Sequence, residues 1–192
     1  MLTNRQEEII EKSIDLISKK GIQGFTIKNL SKSVGISEPA IYRHFESKVK
    51  ILSTLLDQFV EMAEFFSGMM QNADMTAIEK IAFMFEKMVD LFTQNPAMIA
   101  IIFSEEIFKN EEELTKKTVG ILNTNEKTIE SILLKGQKNN EIRDDICEKT
   151  MALVVMGSLR LLVKRWDLNN HDFNLKEEGE KLIDSIRKLL TK

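Results

Sequence analysis

The chain has 192 residues and a formal charge of −3, with 43% hydrophobic and 30% charged residues, a mixture that excludes a disordered chain and supplies a real core. A single cysteine excludes an internal disulfide, and two prolines with eight glycines leave room for long helices. The average charge conceals a polarity: residues 1–50 carry nine Lys and Arg against six Asp and Glu, net +3, which leaves −6 for the remainder, and residues 19–50 hold seven basic against two acidic. A basic head on an acidic body is the distribution expected when only the head meets phosphates.

The first helix is predicted over 5–20, where Ile9, Ile10, Ile14 and Ile17 recur at helical steps and Gly21 follows as a stop. Thr26 is the next N-cap, and Ile27, Leu30 and Val34 give a short second helix its buried face before Gly35 ends it. Ser37 caps a third short helix over 38–44, with Glu38 in its positive first turn and Pro39 where no amide is needed. Ser47 caps again, and Ile51, Leu52, Leu55, Leu56, Phe59, Met62 and Phe66 mark a long amphipathic helix over 48–71. Further helices are predicted over 76–94, 96–109, 111–138, 144–168 and 175–191, separated by Asn- and Pro-containing turns. No alternating segment of strand length stands out, so the chain reads as all-α, about nine helices in two parts, 1–50 and 51–192.

The N-terminus is polar and charged, without the pattern of a secretion signal, and the apolar run 151–163 contains Arg160 and falls short of the ~18–20 residues a membrane span needs. The expected location is the cytoplasm, with no membrane partner.

Two short helices joined by Gly35-Ile36-Ser37 and stacked on a preceding helix make a helix-turn-helix, whose second member can enter a major groove ~12 Å wide. Gly35 can take the left-handed backbone that ends the second helix, Ile36 can plug the core, and Ser37 starts the third helix at a steep angle.

Residues 21–52, read as G-x-x-x-F-T-I-x-x-L-S-x-x-V-G-I-S-x-x-A-I-Y-R-H-F-x-S-K-x-x-x-L, resemble the DNA-binding signature of the TetR family. The resemblance covers the first quarter of the chain; the remainder is similar to the family in length, helical content and order. It implies a three-helix DNA-binding head on a helical bundle, a homodimer, and a regulator that represses a promoter until a small molecule binds the body. Carried over position by position, it implies phosphate contacts from Thr26, Tyr42, His44 and Lys48. Base reading then falls to Ser37, Glu38, Pro39 and Ala40 together with Arg43 and Lys28, and Arg43 is the best candidate for a guanine edge. Glu38 either serves the helix dipole or accepts from a cytosine amine, with the dipole role preferred. The chain departs from the family's pattern at Lys12-Ser13 and at Val49, away from the expected DNA face.

The body is rich in Met and Phe, mostly core by their helical spacing, although flexible Met side chains also line adaptable pockets. Met62, Phe66, Met84, Met88, Phe92 and Phe103 are the candidates for an effector cavity, and their character favours an apolar or amphipathic ligand. Glu105 or Glu106 could meet a cation. The run 151–163 is apolar nearly all round, which implies burial on more than one side. Leu153, Gly157 and Leu161, with Leu182, Ile186 and Leu189 of the last helix, are therefore expected to form a four-helix dimer interface with a second copy.

Two His, one Cys and no glycine-rich phosphate loop leave little material for a metal site or a nucleophile triad, so neither catalysis nor a cofactor is expected. Cys147 reads as a small hydrophobe before a redox sensor. The expected function is a DNA-binding transcriptional regulator, a repressor released from a palindromic double-stranded operator by an apolar or amphipathic effector. The alternative is a helical adaptor that binds another protein without sequence-specific DNA binding.

Overall fold

A computed structural model describes residues 2–103 and 108–191. Among them the chain forms nine helices: α1 (Asn4–Gly24), α2 (Ile27–Val34), α3 (Glu38–Tyr42), α4 (Lys48–Asn72), α5 (Ala77–Gln94), α6 (Ala97–Ile102), α7 (Glu112–Lys138), α8 (Glu148–Leu168) and α9 (Leu175–Leu190). They fall into two compact units, 1–61 with 96–120, and 62–95 with 121–192. By packing, the head therefore reaches past the expected boundary at 50 and takes in α6, which lies against α1.

In the first unit, α2 and α3 have only eight and five residues, too few to persist in water alone. Caps and burial hold them. Phe25, Leu30 and Ile41 are completely inaccessible beside Ile9 and Ile17 of α1 and Ile51 and Leu55 of α4, each such side chain contributing about 1.5–3 kcal/mol on burial. Ser13, one of the departures from the family pattern, is buried too, and its hydroxyl donates to the Ile9 carbonyl at 2.7 Å, so the polar group costs little there. The start of α7 is tied to α4 by a polar cluster. The Lys117 ammonium donates to the buried Ser53 hydroxyl and pairs with Asp57, while Ser53 donates to Glu113. That hydrogen bond, ahead of the nearby lysine charges, holds the Glu113 carboxyl below its ordinary pKa.

The second unit packs α9 against α5 and α8 around Ile81, Phe85, Leu133, Met151, Ala152 and Val155. Thr76 and Glu79 form a capping box at the start of α5, and Val89 leaves room for Gly179 of α9 but for little more: a Cβ there would lie 3.1 Å from Val89 Cγ2. Trp166 of α8 sits 4.1 Å from the His171 ring and donates to the Phe173 carbonyl, which fixes the turn into α9.

Several helix ends differ from expectation. Gly21 breaks α1 as predicted, with φ 66° and ψ 173°, but the chain re-forms a turn and stays helical to Gly24. Helix α3 stops at Tyr42 instead of 44, where the Ile41 carbonyl accepts from both the His44 and Phe45 amides in a tightened last turn. Helix α8 starts at Glu148, not 144. Asp145 pairs with Arg143, whose amide donates to the Leu190 carbonyl, and Gln137 holds the Arg143 and Ile146 carbonyls, so this stretch is spent on irregular contacts. Helix α6 ends at Ile102; the expected continuation to 109 runs through 104–107, outside the described residues, as do Glu105 and Glu106.

Candidate nucleic-acid interface and ligand cavity

The turn of the head is built as its sequence demands. Gly35 adopts φ 78°, ψ 28°, a left-handed conformation that costs most side chains ~1–2 kcal/mol, and the amides of Gly35 and Ile36 both donate to the Ser31 carbonyl. Ser37 then accepts from the Ala40 amide at 3.3 Å and opens α3. Thr26 accepts from the Asn29 amide at 3.1 Å at the start of α2. Among the described residues the Ile27 and Lys28 amides at the start of α2 have no hydrogen-bond partner and suit a phosphate oxygen, whereas at the start of α3 Pro39 has no amide and Ala40 and Ile41 both donate to Ser37.

The ten expected DNA-facing residues are distributed accordingly. Thr26, Lys28, Ser37, Glu38, Pro39, Tyr42 and Arg43 are exposed, and Ala40, His44 and Lys48 are half-buried. Tyr42 is 50% exposed, so it does not serve as a lid on the core; that role belongs to Ile41 and Phe45. Arg43 caps the C-terminal end of α3 with its guanidinium exposed. Lys48 lies with its Nζ 5.5 Å from the centre of the Phe25 ring, and burial lowers its pKa from the ordinary lysine value of 10.5. A phosphate beside it would offset that desolvation. Five residues give α3 a length of about 7.5 Å, short enough to enter a major groove end-on.

Two contacts were not legible beforehand. Gln6 of α1 donates to the His44 carbonyl at 3.0 Å, and Asn29 donates to the Gly24 carbonyl at 2.9 Å, so each pins one end of the helix-turn-helix to α1. Asn29, three residues after the Thr26 cap, could have been suspected from its spacing. Gln6 gave no signal.

The expected effector residues are divided between the units, Met62, Phe66, Met84, Met88 and Phe92 in the second and Phe103 in the first. Phe92 is 2% exposed; Met62, Phe66, Met84 and Met88 are half-buried; and Phe66 packs edge-on against Phe83 at 6.5 Å. The second unit does contain a cavity of about 340 Å³, lined by α4, the start of α5 and α7, and none of those six residues borders it. Its walls include Met70, Ala77, Lys80, Thr128, Ile132, Gly136 and Glu141. Lys80 occupies an inward position of the α5 stripe with Ala77 and Ile81, a polar interruption that could have marked the site.

On α8, Leu153, Val154, Leu161 and Leu168 are between 51% and 69% exposed and form an outward apolar stripe with the exposed Gly157. Of the expected α9 members, Leu189 is exposed and Leu182 half-buried, but Ile186 is 2% exposed in its own unit's core. Ile186 is thus a core residue of the unit; the outward face of α9 lies at Leu189. Cys147, the residue preceding α8, is exposed and not the buried hydrophobe expected. Among the described residues there is no group of side chains that could hold a metal ion, and no helix is long and apolar enough to cross a membrane.

Comparison with known proteins agrees with this architecture at both ends of the chain. The family model described as bacterial regulatory proteins, tetR family, matches residues 9–55, and the C-terminal region of MAATS-type transcriptional repressors matches 75–192. The fatty acid metabolism regulator protein of Bacillus subtilis is 24% identical over 181 residues, 93% of this chain and 92% of that protein. The nucleoid occlusion factor SlmA of Vibrio cholerae is 24% identical over 166 residues, 84% of this chain and 85% of that one. Among solved structures, the transcriptional regulator FadR of Bacillus subtilis in complex with stearoyl-CoA superposes with a TM-score of 0.78 at 21% identity, covering 94% of this chain and 96% of that one.

Proposed function

The chain belongs to the TetR family of bacterial regulatory proteins, and from that premise we propose that it is a cytoplasmic homodimeric repressor, released from a palindromic operator by an acyl thioester. It is a ligand-responsive DNA-binding transcriptional regulator. The observation that carries the fuller reading is the capped head: Ser37, Glu38, Pro39 and Arg43 stand clear of the core on a helix aimed by Gly35, with Thr26, Tyr42, His44 and Lys48 around it to meet phosphates. Phosphate contacts would position the head and Arg43 with the first turn of α3 would read bases.

Support for the dimer comes from the apolar stripe of Leu153, Gly157 and Leu161 with Leu189. The operator of such a dimer would offer two half-sites in major grooves about one helical turn, ~34–36 Å, apart. Support for an acyl thioester comes from the fatty acid regulator relative and from stearoyl-CoA in the similar structure. Helix α4 contributes residues to both units and is the natural lever between ligand and head. About 1–3 kcal/mol of coupling is enough to change operator occupancy.

The test is fluorescence anisotropy with labelled DNA from upstream of the gene, with selection from random DNA as the second source of operators. Selective, salt-sensitive binding that stearoyl-CoA weakens supports the reading. Equal, weak binding to every sequence returns the adaptor, and selective binding indifferent to acyl thioesters removes the proposed effector.

A further inference from the structure

We propose that the cavity of the second unit is an anion-recognition site that receives a phosphate-bearing part of the ligand, with Lys80 as the innermost of its three lysines. The inference deepens the reading of a ligand-responsive regulator and rests on it for the role of the ligand as effector. Lys80 is 9% exposed and lines the cavity, and among the described residues no hydrogen bond or ion pair takes up its ammonium. Among the described residues no buried side-chain nitrogen or oxygen lacks a hydrogen-bond partner, so the Lys80 stem is buried while its ammonium keeps contact with solvent, where an anion in the cavity could take up its charge-assisted hydrogen bonds.

The one carboxylate on the wall is already committed. Glu141 accepts from the Ala77 amide at 2.6 Å, capping the start of α5, and from the Asn139 side chain at 3.1 Å. Lys127 and Lys135 of α7 also border the cavity, exposed to solvent, and neither has an ion-pair partner among the described residues. Three ammonium groups against one engaged carboxylate call for more than a single negative charge, which favours a phosphate or pyrophosphate over the carboxylate of a fatty acid. Met70 and Ile132, both nearly inaccessible, give the same space an apolar wall for the uncharged part of the molecule. A volume of about 340 Å³ lies near the lower end of the ~300–1,000 Å³ of small-molecule sites, so it suits a head group or one end of a long ligand.

The experiment is isothermal calorimetry on the full chain without DNA, at low and high salt, with inorganic pyrophosphate, coenzyme A and decanoate as separate probes. Pyrophosphate or coenzyme A is expected to bind, salt-sensitively, and to lose affinity roughly tenfold or more in Lys80→Met and in the double variant Lys127→Ala/Lys135→Ala. Binding of both probes locates recognition in the phosphates, and binding of coenzyme A alone adds a need for its organic part. The double variant alters only exposed side chains, so it decides the matter even if Lys80→Met folds poorly by circular dichroism. Unchanged affinity in the double variant, no binding of either phosphate compound, or preference for decanoate overturns the proposal. Because no DNA is present, that failure is distinct from a failure to find an operator.

Discussion

Gly21 and Gly35 offer a matched pair of backbone substitutions in the head. An added Cβ would meet nothing within 4 Å at either position, so replacement by Ala has no steric cost from neighbours and reads backbone conformation alone. Gly35, at φ 78° and ψ 28°, sits in the left-handed helical region, where Ala costs about 1–2 kcal/mol and Asn distinctly less. Gly21, at φ 66° and ψ 173°, sits where almost only glycine goes, at about 1–3 kcal/mol for any side chain. The smaller entropy of the unfolded Ala or Asn chain returns about 0.4–1 kcal/mol in each case. Gly35→Ala should therefore destabilise the head modestly and Gly35→Asn scarcely at all, while Gly21→Ala and Gly21→Asn should both cost more than Gly35→Ala. Urea unfolding followed by far-ultraviolet circular dichroism measures this, with Trp166 fluorescence reporting the second unit separately, since it is the one tryptophan of the chain. Equal losses at both glycines, or an Asn rescue at 21 and not at 35, would refute the reasoning.

Arg43→Ala should weaken operator binding by about 1–3 kcal/mol while leaving non-specific DNA binding nearly intact, whereas Lys48→Ala should weaken all DNA binding and flatten its salt dependence by about one unit of slope. Competition anisotropy at several salt concentrations separates the two. Leu153→Glu with Leu161→Glu places charges on the apolar stripe of α8 and should convert a dimer to monomers in size-exclusion light scattering; an unchanged mass removes that interface. Glu113 has its folded pKa lowered below 4.5, chiefly by the Ser53 hydroxyl, so its contribution is present above that value and is lost as pH falls through the lower folded one. Thermal midpoints between about pH 5 and 3 should fall more steeply for the native chain than for Glu113→Gln, and parallel curves would deny the linkage.

The head was legible because its structure is local. Thr26, Gly35 and Ser37 act on amides and carbonyls within four residues of themselves, so capping and the left-handed turn follow from the sequence with no knowledge of what packs nearby. The same locality explains why the outward residues of α3 fell where expected. Residues whose meaning depends on distant partners were another matter. Gln6 reaches the His44 carbonyl across 38 positions, and periodicity could place Ile186 on an apolar face of α9 without saying whether its own unit would bury it. The Met and Phe stripes of the body read mostly as core and secondarily as a ligand wall, and spacing along the helix could not say which members would border a cavity. Tertiary packing left the space instead beside Lys80, where a cation sits on an otherwise apolar helix face. Sequence alone thus determined the order of the helices, their caps and the left-handed turn of the head, all governed by neighbours along the chain. Which apolar faces meet, and where a cavity bordered by lysines remains, only the tertiary structure decided, because those depend on how volumes and charges from separate helices add up in space.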